Sequence, residues 1–230
     1  MAYPRSGRRL SNSVVLLVLA ALAVTVSGAG ADYNLVLNPG FESPHQADTS
    51  FPYMGYGQLH PDNWTGGDRR EMFMSHANGG WWAPHSGAQS LGLNGTYGPG
   101  WISQNLATVA GGTYDLSFFM AGDFEKGGTA RTLEVFWGVG HSLGTVTFTR
   151  PSDWSHSSMG WALQSGGILS GLTATGPSTE LKFVSLEPGE YDHGPALDDV
   201  RVIATPEPGS LSLLLLGLPG LVWLRRRRRA

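Results

Sequence analysis

Between His45 and Ala204 no helical spacing of apolar residues persists for ten residues, and this constrains the fold more than any other feature of the chain. Short runs recur instead: Asn34–Asn38, Gln89–Asn94, Trp101–Leu106, Thr113–Ala121, Arg131–Gly138, Gly144–Thr149, Gly160–Gln164, Thr179–Ser185 and Pro195–Ile203. Clusters of Gly, Pro, Asn and Ser separate them. In Thr113–Ala121, Tyr114, Leu116, Phe118 and Met120 share one face; in Arg131–Gly138, Leu133, Val135 and Trp137 do the same. A period of two marks a half-buried strand. Many short strands divided by turn residues predict an all-β fold, a β-sandwich of jelly-roll type. The stretch from His45 to Gly87 carries weak strand signals and reads as a long functional or ligand-ordered loop.

Composition agrees and excludes other classes. The 230 residues include 33 Gly, 14 Pro, 8 Trp and no Cys, and only 14% are charged. Disordered chains lack such aromatic content. Without Cys there is neither a disulfide framework nor a thiolate metal site. Glycine without a three-residue period excludes collagen.

Charge is unevenly placed. Residues 32–204 hold seven basic and 17 acidic residues, while most of the remaining positive charge lies at the two ends. An acidic domain repels phosphate backbones, so nucleic acid is not an expected partner. Divalent cations and neutral sugars suit it better.

The ends read as addresses. Arg5, Arg8 and Arg9 precede the apolar run Val14–Val26, and Ala29-Gly30-Ala31 offers small residues for cleavage. Residues 1–31 are therefore expected to be a signal peptide with an apolar signal helix. At the other end, Pro206-Glu207-Pro208 precedes the uncharged span Leu211–Leu224, predicted as a short hydrophobic membrane helix, and the basic cluster Arg225, Arg226, Arg227, Arg228, Arg229. Positive charge after an apolar span stays on the cytoplasmic side. The ordered combination in residues 205–230 resembles the PEP-CTERM sorting signal. That resemblance implies export through the inner membrane of a Gram-negative-type bacterium and transient anchoring there. It further implies processing by an exosortase near the Pro-Glu-Pro, then residence at the cell surface or in an extracellular matrix.

Residues 32–204 are expected to form the globular domain. Asn34-Leu35-Val36-Leu37-Asn38-Pro39-Gly40-Phe41-Glu42 resembles the first strand of galactose-binding-like jelly rolls, and Gly194-Pro195-Ala196-Leu197-Asp198-Asp199-Val200 resembles their last. Asn63-Trp64, Ser90–Gly95, Ile102-Ser103-Gln104 and Tyr114–Gly122 fall between them in the same order. This segment resembles the bacterial surface domains called choice-of-anchor C, which are similar to plant cell-wall-associated galactose-binding-like proteins. The resemblance places the first and last strands side by side and Trp64 in the core. Gly92 stands where that family usually has Asp, and Asp123 where it usually has Asn.

Two sets of residues can carry function. Strict alternation in Pro195–Ile203 puts Asp198 on the face of Val200 and Val202, hence inward. A buried carboxylate needs a partner or its proton. With neighbouring first and last strands, Glu42 and Asp198 meet, with Asp199 beside them. The resemblance implies a structural calcium there, as in similar carbohydrate-binding modules, and oxygen ligands suit that ion. Hydrogen bonding of Asp198 to backbone N–H groups remains the alternative. The second set is aromatic: Tyr53, Tyr56, Trp81, Trp82 and Trp101, with Asn94, could stack on and orient a polysaccharide. If Trp81 and Trp82 are extended they face opposite ways, so one is exposed.

Three enzyme patterns fail. Gly140-His141-Ser142-Leu143-Gly144 spells a nucleophile elbow, but a strand pattern follows where a helix is required. The seven His are scattered without a metalloprotease pattern. Asp123 and Glu125 read as a solvated turn. The expectation is a non-enzymatic, exported β-sandwich that binds polysaccharide. A structural matrix protein without a small ligand is the alternative, and a hydrolase with an unrecognised acidic site stands behind it.

Overall fold

Along Thr113–Gly122 burial alternates as the apolar pattern does, with Tyr114, Leu116, Phe118 and Met120 inward and Asp115, Ser117 and Phe119 outward. The computed structural model describes residues 33–44, 53–54, 61–67, 72–76, 82–95, 98–188 and 193–205; for 53–54 and 72–76 this means the backbone alone. Residues 1–31, expected to be a signal segment, and the tail from Pro206 to Ala230 lie outside these residues. Among the described residues no helix is long and apolar enough to cross a membrane.

Asp32–Thr205 forms one compact unit built from two principal sheets. The larger runs β1 (Tyr53–Met54), β3 (Met72–His76), β4 (Gln89–Gly92), β14 (Pro195–Ala204), β8 (Thr113–Gly122) and β11 (Ala162–Gln164), with β12 (Leu172–Thr173) also on β8. The smaller runs β10 (Ser142–Thr149), β9 (Ala130–Trp137), β13 (Ser178–Ser185), β7 (Trp101–Ala107) and β2 (Thr65–Gly66). A short pair, β5 (Asn94–Gly95) and β6 (Gly98–Pro99), stands apart. All described pairings between strands are antiparallel. From β7 onward the chain crosses repeatedly between sheets, as in a jelly roll. The inward faces meet in one core, where Phe118 of β8 packs edge-on against Phe183 of β13 at 5.0 Å and Tyr114 lies 5.7 Å from Trp137. This is the all-β sandwich expected from the alternation.

Three local features depart from expectation. The opening run is extended but not a laddered strand: Leu35 donates its N–H to Val202 O at 2.9 Å, and the Asn34 amide group bonds Val200 and Val202. The amide side chain thus replaces part of a ladder, and the run still lies along β14. The stretch His45–Gly87 contains β1, β2 and β3 and is not merely loop; β3 is aligned by pairing with β4, a long-range partner that local pattern does not reveal. Third, strict alternation breaks in β14. Asp198 pairs with Phe119 but Arg201 with Ser117, so one extra residue is accommodated between them. Asp199 there has φ 48°, in the left-handed region that Asp tolerates better than most residues. The bulge resets the phase. Leu197, Val200 and Val202 all enter the core, while Asp198 shares the outer face with Phe119. Asp198 is nonetheless fully buried, because the loop before β4 covers it.

Candidate functional site

The bulge of β14 and the loop His85–Gln89 are joined by three carboxylates. Asp198 Oδ2 accepts the backbone N–H groups of His85 at 2.9 Å and Ser86 at 3.1 Å, and its Oδ1 accepts that of Asp199 at 2.8 Å. Asp199 meets His85 Nδ1 at 2.7 Å through Oδ2 and accepts the Ser86 hydroxyl at 2.9 Å through Oδ1. Glu42 Oε1 accepts the N–H groups of Ala88 at 2.9 Å and Gln89 at 3.1 Å. The His85 ring also stacks on Phe119, with centroids 3.5 Å apart. Apart from the bond between Asp198 and Asp199, every link joins segments distant in sequence.

The three acids hold the same loop from two segments of chain. Gly40 lies between them: a Cβ built there would be 3.5 Å from Asp198 Oδ1, 3.5 Å from Asp199 Oδ1 and 3.7 Å from Glu42 Cγ. Burial first, then the adjacent Asp199 charge, pushes the Asp198 carboxyl up to about 7, against the opposing pull of the N–H groups of Ser86, Asp199 and His85. The backbone bonds realise the alternative that the sequence left open for Asp198. The donor set also fits a hard cation. Each carboxylate oxygen has more than one acceptor position, three acids supply negative charge, and a divalent ion would relieve the like-charge pair. Ligand atoms of His85, Asp198 and Asp199 all lie within 4.8 Å of one another, a group that does not include Glu42.

The aromatic set divides. Trp82 is only 4% exposed and its Nε1 donates to Ser90 Oγ at 2.9 Å, so it is a core residue and not a stacking surface. Asn94 is 1% exposed; its Oδ1 accepts the Ser185 hydroxyl, and its side chain packs flush against Gly194. It ties strands together and does not reach a ligand. Trp81 and Tyr56 lie outside the described residues, as does the Tyr53 side chain. Trp64 is buried against Phe41, as expected. Trp101 is different. It is half-buried on the outward face of the smaller sheet, and Lys182 Nζ sits 4.2 Å from its ring centroid. Thr65, Asn105 and Glu180 share that face by register.

The nucleophile-elbow pentapeptide is a hairpin turn, as its flanking pattern predicts. His141 N–H closes on Gly138 O, and Ser142 opens β10 with its hydroxyl donated to Glu134. The solvated-turn reading of Asp123 is corrected: it is 1% exposed and lies against His193 and His156. Sequence distance concealed this grouping. Its only visible sign was an Asp where the resembled family usually has Asn.

Fold and site define a jelly-roll β-sandwich with a carboxylate-clamped loop. The chain belongs to the DUF642 family of proteins of unknown function, whose model matches residues 34–203. No curated protein matches it in sequence. Among solved structures it is similar to TmCBM61 in complex with beta-1,4-galactotriose, at 18% identity, covering 76% of this chain and 100% of that one with a TM-score of 0.46. A family 35 carbohydrate-binding module from Clostridium thermocellum matches at 13% identity, covering 62% and 92%, with a TM-score of 0.42. The K1 cleaved adhesin domain of Lys-gingipain from Porphyromonas gingivalis W83 matches at 12% identity, covering 64% and 94%, with a TM-score of 0.45.

Gly87 tests the clamp. It has φ 60°, and a Cβ there would stand 2.0 Å from Glu42 Oε1. Gly111 also has positive φ, but nothing lies within 4 Å of its Cβ position. Gly111→Ala is expected to lose about 1–3 kcal/mol from backbone strain alone. Gly87→Ala should lose clearly more, because it also drives Glu42 from its N–H partners. Urea unfolding of both variants checks this; equal losses would show that the Glu42 contact is energetically idle.

Proposed function

We propose that this chain is an exported, non-catalytic β-sandwich that binds polysaccharide through the face around Trp101. The half-buried, outward indole is the observation that carries this reading. Sugar rings present C–H faces that stack on aromatic rings, and polar neighbours orient the hydroxyls. Lys182, whose Nζ lies over the ring, and Thr65, opposite Ser103 two residues along β7, supply such groups. In affinity electrophoresis through gels of neutral polysaccharides, the protein is expected to be retarded, and Trp101→Ala to migrate freely with a melting temperature close to wild type. No retardation on any glycan would leave a structural matrix role in its place.

Calcium is part of the proposal. Glu42, Asp198 and Asp199 would hold it, and the ion would neutralise their charge and replace the stapling that disulfides give other exported domains. An ion bound only by the folded chain at 100 times its dissociation constant stabilises by about 2.7 kcal/mol, worth roughly 5–10 °C in a domain of this size. Chelation should lower the melting temperature on that scale and added calcium should restore it. An unchanged melt in protein that carried no metal by elemental analysis would remove the ion from the account.

Sorting completes it. Pro206-Glu207-Pro208 directly follows Thr205, whose N–H bonds Thr113 O at 2.9 Å. Cleavage there by an exosortase would release the sandwich from its membrane segment with its strands whole. Mass spectrometry of the native protein is expected to find residues 1–31 and the Arg225–Arg229 tail missing; an intact tail on extracellular material would contradict processing.

A further inference from the structure

A second cluster lies where β8 ends and β14 begins, apart from the acids that clamp the His85 loop. Asp123 is fixed through its main chain: its N–H donates to Gly194 O at 3.0 Å, and its carbonyl accepts Arg131 Nε at 2.8 Å. Its carboxylate is held by contacts of its own. Oδ2 meets His193 Nδ1 at 2.9 Å, and Oδ1 accepts the Glu125 N–H at 2.9 Å. His156 Nε2 stands 3.6 Å from Asp123 Oδ1. The His156 segment is held as well: its carbonyl accepts Ala83 N–H at 2.8 Å, and its ring packs edge-on against Trp154 at 5.2 Å. Three stretches of chain thus bring these groups together.

The spacing has a chemical meaning. At 3.6 Å, Asp123 Oδ1 and His156 Nε2 are too far apart for a hydrogen bond. Two ligand atoms bound tetrahedrally at zinc distances stand about 3.4 Å apart. Ligand atoms of Asp123, Glu125 and His156 all fall within 4.8 Å of one another. The His193 bond to the other Asp123 oxygen is the kind of outer partner that orients a metal-binding carboxylate. Positive charge nearby is already engaged: the Arg131 guanidinium bonds the carbonyls of Ala130, Gly127 and Asp123 and lies 3.7 Å from Glu187. Calcium prefers oxygen alone, whereas imidazole with carboxylates suits zinc.

We propose that Asp123, Glu125 and His156 form a binding site for a divalent transition ion of the zinc type, with His193 positioning Asp123. Three protein ligands leave a coordination position for water or an oxygen of a bound molecule. Glu125 is exposed, so the ion is reached from solvent on its side, while Asp123 and His156 Nε2 are buried.

The test uses the untagged full chain, stripped with chelator and dialysed against zinc chloride or cobalt chloride. Elemental analysis should find one zinc retained per chain, and the cobalt form should show the intense visible bands of a low-coordinate site. His156→Gln should abolish those bands and weaken zinc by at least about tenfold, and His193→Ala should weaken it about 10–100-fold. Glu42→Gln, at the other acidic cluster, should leave zinc retention unchanged. His156 is partly exposed, so its replacement is expected to preserve the near-ultraviolet circular dichroism of the fold. Failure of the wild-type chain to retain zinc overturns the proposal. So does a His156→Gln variant that keeps both zinc and the cobalt bands.

Discussion

The bulge in β14 is the constraint on which the functional end of the sandwich depends. One additional residue between Asp198 and Arg201 lets Leu197, Val200 and Val202 all enter the core while Asp198 turns to the opposite face. A carboxylate left bare there would be costly to bury. It is tolerated because the His85–Gln89 loop folds over it and supplies N–H donors, and because Asp199 and Glu42 hold the same loop from either side. Backbone conformation, burial and charge at this end are consequences of one break in alternation.

The two acidic clusters differ in character although each has a member on β14 or just before it. Around Gly40 three carboxylates converge, and the nearest imidazole is a hydrogen-bond partner of Asp199. Around Asp123 one buried carboxylate is flanked by two imidazoles and a buried arginine. The first is an oxygen-rich, acid-rich environment and the second a mixed one. A single sandwich can thus present hard and borderline ligand chemistry without a cysteine.

The strands that pair on long apolar alternation were legible from the residues. Thr113–Gly122 and Ala130–Trp137 bury the side chains that their period of two predicts. That the opening run lies along the last strand was legible from the resemblance. What stayed hidden depends on non-local geometry. The inward direction assigned to Asp198 failed because a bulge has no alternation signature. Met72–His76 needed its partner β4 to become a strand. Trp82 and Asn94 look like ligand contacts in a loop-rich stretch, yet Ser90 and Ser185 satisfy their polar atoms inside the fold. His156 and His193 are 37 positions apart, and only tertiary packing sets both beside Asp123.

The bonds between Asn34 and the last strand span 166 and 168 positions. The Asn34 amide, whose partners are made last, cannot form these bonds while the rest of the chain is being synthesised. Closing a loop of that size before its rewards arrive is entropically unfavourable. The contact of Asn34 and Leu35 with β14 therefore seals only when that strand is present. Late closure leaves the outer edge of β14 unsealed until the far end of the domain arrives.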